Sequence, residues 1–336
     1  MHGYVTESED VIGLGKIAAL KASDDDAILV DAGDATQGLP IASLTKGADI
    51  IRLMNVAGYD VMAAGNHEFD FGIDILKQNV ALANFPILGA NVLYNGSPLL
   101  EDQTVIQKDG YRIGFFGIST TQTATSTNPE GMQGVTFANE IETAKEQVAS
   151  LEAQQVDAII AIVHCGNGDA PVTLKMIAQG VDGIDVIIDG HSHSQENEIV
   201  NDTLIVQTGS NGEAVGQLEL TFDEEGVKAQ ETLKTAADLV DVEPLATVEN
   251  EIASINASQQ ELLNTPVAEF NTTLRAGNVG VVAITRVVET NLGDLVADAF
   301  KQKGKNSPME ACRLLRWKMA AVFVRKCQME PLRAVI

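Results

Sequence analysis

Cysteine is scarce, with three in 336 residues (Cys165, Cys312 and Cys327). Three thiols cannot form a disulfide framework, so they say nothing about redox compartment. Apolar runs are short as well: none reaches the roughly 18 residues of a membrane span, so no membrane partner is expected. The N-terminus lacks a charged-then-apolar leader, although a removed leader would leave the same picture. Positive charge is the largest deficit. Lys and Arg number 22 against 47 Asp and Glu, a formal charge of −25. Such a surface repels phosphate backbones and anionic lipid, which excludes a nucleic-acid polymer as a partner. A small anion could still bind where a metal ion supplied local positive charge. Internal repeats and low-complexity segments are absent too.

What is present suits a globular chain: 45% of residues are hydrophobic and 21% charged, enough to bury a core. Between residues 10 and 220, short apolar runs alternate with amphipathic stretches. The runs are AILV (27–30), YDVMAAG (59–65), FPILGANV (85–92), RIGFFGIS (112–119), DAIIAIVH (157–164), DVIIDG (185–190) and TLIVQTG (203–209). Helical patterns lie between them at 48–58 and 140–155. This alternation predicts an α/β domain whose strands are buried on both faces. Residues 213–230 alternate around Asp-Glu-Glu-Gly and read as a hairpin on the sheet's edge. From about 240 to 265 the chain turns helical and polar before Pro266, as a connector between two domains would. A new segment begins at 267 and ends in the helical pattern NLGDLVADAF (291–300). Beyond residue 300 the composition changes. That tail holds 9 basic and 2 acidic residues, Cys312, Cys327 and Trp317, against 13 basic and 45 acidic residues in the first 300.

The chain has five histidines: His2, His67, His164, His191 and His193. The last four sit at or just after the ends of predicted strands. These exits, together with the one that carries Asp34, read AILVDAGD (27–34), VMAAGNHEFD (61–70), AIIAIVHCG (158–166) and VIIDGHSH (186–193). Ligands of open α/β sheets bind beyond the carboxyl ends of the strands. The four exits would therefore gather Asp34, Asn66, His67, His164, His191 and His193 in one place. Nitrogen and carboxylate donors of this kind suit Zn²⁺, Mn²⁺ or Fe rather than Ca²⁺. One exit alone carries little weight, since a strand-end Asp commonly caps a turn and His-Ser-His suits a surface loop. The set carries the inference, because every exit supplies a ligand-type residue.

In order, GD (33–34), GNHEFD (65–70), VHCG (163–166) and GHSH (190–193) closely resemble the motifs of the calcineurin-like metallophosphoesterases. The words DAGDATQG, GYDVMAAGNHEFDFG and GANV are similar to the secreted bacterial branch of 5′-nucleotidases, UDP-sugar hydrolases and 2′,3′-cyclic phosphodiesterases. Gly33-Asp34 runs into Ala35-Thr36-Gln37-Gly38 where the family's protein phosphatases have Asp-Arg-Gly, which argues against a phosphoprotein substrate. The likeness spans roughly residues 2–300. It implies an α/β fold, a four-layer αββα sandwich over 1–225 within a catalytic domain at 1–240. A connector helix at 241–266 and the start of a C-terminal nucleotidase domain at 267–300 would follow.

The resemblance also implies two divalent metal ions (Zn, Mn, Fe or Mg). Asp34 would bridge them; Asn66, His164 and His191 would complete one site, and His2 and His193 would belong to the other. Such a pair activates a water that attacks phosphorus in line. His67 would steady the transferring phosphoryl group or assist the leaving oxygen, with Asp70 orienting its imidazole. Glu68 is either a support behind these ligands or, as the preferred reading, a loop acid. The implied activity is metal-dependent hydrolysis of 5′-nucleotides or related nucleotide phosphoesters, small molecules, with 2′,3′-cyclic nucleotides or UDP-sugars as alternatives. The implied location is extracellular, periplasmic or cell-wall, and no protein partner is inferred.

Two features depart from the family. Its first motif is Asp-X-His-Gly at a strand end, whereas Met1-His2-Gly3 supplies X-His-Gly, so the Asp and its strand are expected upstream of Met1. A site lacking that carboxylate holds its second ion more weakly; a catalytically impaired chain that still binds metal is the alternative. The family's C-terminal domain also continues to an Asn-Gly-Gly-Gly-Ile-Arg loop and to aromatic residues that hold the base, and neither follows residue 300 in frame. One allowed coding of Lys318–Arg325 (KMAAVFVR) yields Asn-Gly-Gly-Gly-Ile-Arg when read from its third base. Residues 301–336 are therefore expected to be an out-of-frame tail, poorly ordered over 305–336, with WKMAAVFV a solubility liability. A basic tail that binds an acidic partner or membrane is the alternative.

Overall fold

The computed structural model describes residues 1–306 apart from 128, 169, 225, 267–268 and 280–281. The expected out-of-frame tail lies, from residue 307 onward, outside the described residues. The chain divides into two compact units, Met1–Asn264 and a second from Thr265.

Two sheets form the centre of the first unit. One has three parallel strands in spatial order β1 (Val30–Asp31), β2 (Val61–Ala63) and β3 (Ile87–Leu88). The other contains β4 (Gln103–Lys108), β5 (Tyr111–Ser119), β6 (Ala158–His164), β7 (Val186–Ile188), β8 (Gln195–Val200) and β9 (Thr203–Thr208). Their spatial order is β8-β9-β7-β6-β5-β4. The four inner strands are parallel, and β4 and β8 close the two edges antiparallel.

The period-two geometry of a strand explains the unbroken apolar runs. In β6, Ala158, Ile160 and Ile162 face the other sheet while Ile159, Ala161 and Val163 face helices. The sheets approach closely: a Cβ on Gly117 of β5 would lie 2.5 Å from the Leu88 Cβ of β3. Helices α1 (Leu14–Ala22), α2 (Ala48–Ala57) and α3 (Ile73–Leu82) cover the outer face of the first sheet. Helices α4 (Glu140–Ala153) and α5 (Leu174–Gly180) cover the second. The result is the expected αββα sandwich. Helix α4 starts where Asn139 accepts from the Glu142 N–H at 3.0 Å, with Glu140 and Glu142 in its first turn opposing the helix dipole.

Helix α6 (Ala246–Asn264) coincides with the polar helical segment expected as a connector. It buries Val248, Ile252, Ile255 and Gln259, one stripe at helical spacing, against α1 and α2. Gln259 Nε2 donates to Asp49 Oδ2 at 3.0 Å. This helix is thus part of the first unit's outer layer.

The hairpin expected on the sheet edge lies elsewhere. Strands β10 (Ala214–Asp223) and β11 (Gly226–Thr235) pair with each other and, among the described residues, with no other strand. Leu218, Leu220, Phe222, Val227 and Ala229, all partly buried, pack against the cluster formed where the sheets meet, and Phe222 stacks on Tyr111 at 3.9 Å between ring centroids. Alternation fixes that one face is apolar, not which surface that face covers. In the second unit, a short antiparallel pair, β12 (Asn278–Val279) and β13 (Val282–Ala283), precedes α7 (Asn291–Asn306). The Asn291 side chain joins α7 to the segment before it, accepting from Arg275 N at 2.8 Å and donating to Thr273 O at 2.9 Å.

Candidate metal centre

Four parallel strands end on one side of the sandwich. The loop after β1 carries Gly33-Asp34, and a 3-10 turn after β2 carries Asn66–Phe69. His164 is the last residue of β6, and the loop after β7 carries Gly190 to His193. His2 joins them through its N–H, which donates to Asp34 O at 3.1 Å. The eight residues expected to act here are brought into this one cluster.

Asp34 is the hub. Its Oδ2 lies 3.1 Å from His164 Nε2 and 3.8 Å from His2 Nε2, and its Oδ1 accepts the His67 N–H at 2.8 Å. Ligand atoms of Asp34, His164 and His191 all fall within 4.8 Å of one another, a group able to hold a metal ion. His191 Nδ1 faces Asn66 Oδ1 at 2.9 Å, and His2 Nε2 faces His193 Nε2 at 3.2 Å. His67 Nδ1 donates to Asp70 Oδ2 at 2.7 Å, which leaves its Nε2 free of that bond.

The tautomers bear on whether a cation fits. His164 Nδ1 donates to the Ala32 carbonyl at 2.7 Å, and His2 Nδ1 to the Gln37 carbonyl at 3.1 Å. In each neutral ring the Nε2 lone pair then points toward Asp34. His164 Nε2 is fully buried and has no hydrogen-bond partner among the described residues. The Nε2 atoms of two rings thus face a buried carboxylate, an arrangement that needs a proton or a cation between them. Imidazoles backed by carbonyls suit a divalent transition metal.

The backbone is unusual at the same residues. His2, Asp34, His191 and His193 have φ of 55°, 60°, 78° and 57°, the left-handed region. Each such residue costs on the order of 1–3 kcal/mol, and such strain clusters at functional sites. Close approach also dictates two glycines: a Cβ on Gly33 would lie 2.6 Å from Gly65 N, and one on Gly65 would lie 2.3 Å from Asp34 Oδ1.

Without a cation the charges settle on protons. Burial would raise the Asp34 carboxyl, but the imidazoles, His164 foremost, hold it well below the carboxylate range. Burial would lower His164, but Asp34 outweighs it and lifts the ring to about 9. Burial takes His2 and His191 down to about 4 and lowers His193 as well. For His67, burial is outweighed by the Asp70 hydrogen bond and nearby carboxylates, so the ring is raised.

Several supports carried no clear signal in the sequence. Glu68, preferred as a loop acid, is instead 2% exposed and accepts five hydrogen bonds. Burial, and then the Asp34 charge, push its carboxyl upward against those donors. Thr127 Oγ1 donates to Asp70 Oδ1 at 2.5 Å, and Gln122 Oε1 lies 3.3 Å from His191 Nε2. Asp189 Oδ1 accepts the N–H groups of Cys165 and Gly166 at 2.9 and 3.2 Å, fixing the chain after His164. Buried Gln207 gathers the Ser192 and Ser194 hydroxyls at 2.8 and 3.1 Å and so shapes the loop that carries His191 and His193. Of these, only Glu68, adjacent to His67, could have been suspected.

Residues 1–195 match the calcineurin-like phosphoesterase family. The chain is 31% identical to a 5′-nucleotidase of Diplobatis ommata, over 88% of this chain and 54% of that protein. It is 30% identical to the trifunctional nucleotide phosphoesterase YfkN of Bacillus subtilis, over 87% of this chain and 22% of that protein. The chain thus spans about half, or less, of the length of these relatives. A crystal structure of a 5′-nucleotidase precursor from Thermus thermophilus superposes with a TM-score of 0.71 at 27% identity, covering 89% of this chain and 62% of that one.

Proposed function

Because the chain belongs to the calcineurin-like phosphoesterase family, we propose that it is a metal-dependent hydrolase of 5′-nucleotides or related nucleotide phosphoesters. The observation that carries this reading is the gathering of Asp34, His164 and His191 ligand atoms within 4.8 Å of one another, with His164 Nε2 buried against Asp34. Relatives named as a 5′-nucleotidase and a nucleotide phosphoesterase support the substrate class. Asp34, Asn66, His164 and His191 would hold one divalent cation; His2 and His193, with Asp34, would hold a second. When bound, the cations supply positive charge for phosphoryl oxygens and make a water acidic enough to attack phosphorus.

His67 acts beside this centre rather than in it. Its Nδ1 proton is held by Asp70, itself held by Thr127, so in the imidazolium, which these carboxylates favour, Nε2–H is the proton presented to the transferring phosphoryl group or the leaving oxygen. The supporting bonds keep the ring from turning. We assign residues 1–240 as the catalytic domain, 241–266 as a connecting helix that packs on it through residue 264, and 267–300 as the opening of a second domain. Location outside the cytoplasm follows from likeness to the secreted branch.

The test is hydrolysis with added Mn²⁺, read by separating the products: adenosine and phosphate from 5′-AMP, an adenosine monophosphate from 2′,3′-cyclic AMP, and UMP with glucose 1-phosphate from UDP-glucose. We expect 5′-AMP to be hydrolysed, the activity to disappear in EDTA and to return with Mn²⁺. Preference for either other substrate would replace the substrate assignment, and inertness of the metal-loaded chain toward all three would refute it. His67→Ala should lower turnover by about 10²- to 10⁴-fold with bound metal unchanged. Loss of metal in that variant would show that His67 is a ligand instead.

A further inference from the structure

We propose that Glu68 is a positioning residue of the metal centre: its buried carboxylate clamps the two loops that carry Asp34 and His67. The inference rests on the reading of this cluster as a metal site. Beyond the ends of β1 and β2 those loops leave the sheet, and strand pairing no longer holds them together. Glu68 replaces it. Its Oε2 accepts Asp34 N–H at 2.8 Å and Gly65 N–H at 2.7 Å. Its Oε1 accepts Ala35 N–H at 2.9 Å, Thr36 N–H at 3.1 Å and the Thr36 hydroxyl at 3.1 Å.

Three successive N–H groups, those of Asp34, Ala35 and Thr36, converge on one carboxylate. Such a concavity of backbone N–H groups binds anions, and here the anion is a side chain of the neighbouring loop. Asp34 adopts φ 60°; its N–H points to Glu68 while its Oδ1 accepts the His67 N–H at 2.8 Å. The two loops are thus tied in both directions, Glu68 to the Asp34 loop and Asp34 to the His67 turn. Both Glu68 oxygens are occupied by these donors, so the residue acts through Asp34 and touches neither cation nor substrate.

Glu68→Gln tests this with little change of shape. One oxygen survives, but the other becomes an NH₂ that faces N–H donors, so at least one buried donor loses its partner. The probe is Mn²⁺ alone, titrated into the metal-free chain of residues 1–336 at a temperature where every variant is folded. We expect Mn²⁺ affinity to fall by about 10- to 100-fold, the range for groups that orient metal ligands. Val248→Ala, a cavity beneath helix α6, which carries no residue of the metal centre, controls for lost stability and should leave the affinity unchanged. An affinity for Glu68→Gln equal to that of Val248→Ala would overturn the proposal and leave the metal site standing. If the parent chain bound no Mn²⁺, both readings would fall. Should Glu68→Gln not fold, Thr36→Val removes only the hydroxyl bond: weaker Mn²⁺ binding supports the clamp, and unchanged binding overturns it.

Discussion

At His164 two residue-scale demands meet in one ring. Nδ1 must donate to Ala32 O, and Nε2 must face the Asp34 carboxylate. In the metal-free chain a proton meets the second demand, which is why the ring is lifted to about 9. A raised imidazole contributes stability that is complete below its ordinary value of 6.5 and is lost as pH rises through about 9. His2 and His191 act in the opposite sense. Lowered to about 4, they stay neutral in the folded chain while the unfolded chain takes up protons, so stability falls as pH drops from 6.5 toward 4. The metal-free chain should therefore be most stable near neutrality. Urea midpoints measured in EDTA across that range should trace a dome, and His164→Gln should flatten its alkaline side. Glu68 shows the limit of reading at this scale. Gly-Asn-His-Glu names an acid beside a histidine, but four of the five donors that hold it come from a loop more than thirty residues away in the chain.

Among elements, the strands were the most legible because burial on both faces demands continuous apolar runs. The runs at 157–164 and 203–209 became β6 and β9 almost residue for residue. The hairpin at 213–230 was legible as a hairpin and misplaced as an edge. Its apolar face is satisfied equally by any apolar surface, and it took the one where the sheets meet. Helix α6 adds to this: its polar composition suggested a connector, and a stripe of four residues also docks it on α1 and α2. Ile252, 3% exposed, anchors that stripe. Ile252→Ala should cost about 2–5 kcal/mol in urea unfolding, and Mn²⁺ affinity should not change.

For the whole molecule, the two sheets and the helices that flank them belong to one compact unit, Met1–Asn264. Every residue assigned to the metal centre, and every support described for it, lies in that unit. A chain ending at Asn264 should therefore keep the circular dichroism of the sandwich and the Mn²⁺ affinity of the longer chain. Spectra of an unfolded protein, or lost Mn²⁺ binding, would show that residues beyond 264 are needed for the centre. The acidic surface, −25 overall, belongs to this scale too. It makes cations the natural guests and makes a bound metal the means of admitting a phosphate.

The sequence alone determined the α/β class and the strand exits, and it named the residues that gather beyond those exits, because burial on two faces demands continuous apolar runs and the breaks after them are where the polar side chains stand. Tertiary structure decided which nitrogen of each imidazole turns inward, since that depends on the Ala32 and Gln37 carbonyls and these leave no trace in a side-chain pattern. It also decided that Glu68 is a buried clamp. A carboxylate's role is set by the donors that surround it, and those donors are backbone N–H groups that every sequence possesses and only a fold can aim.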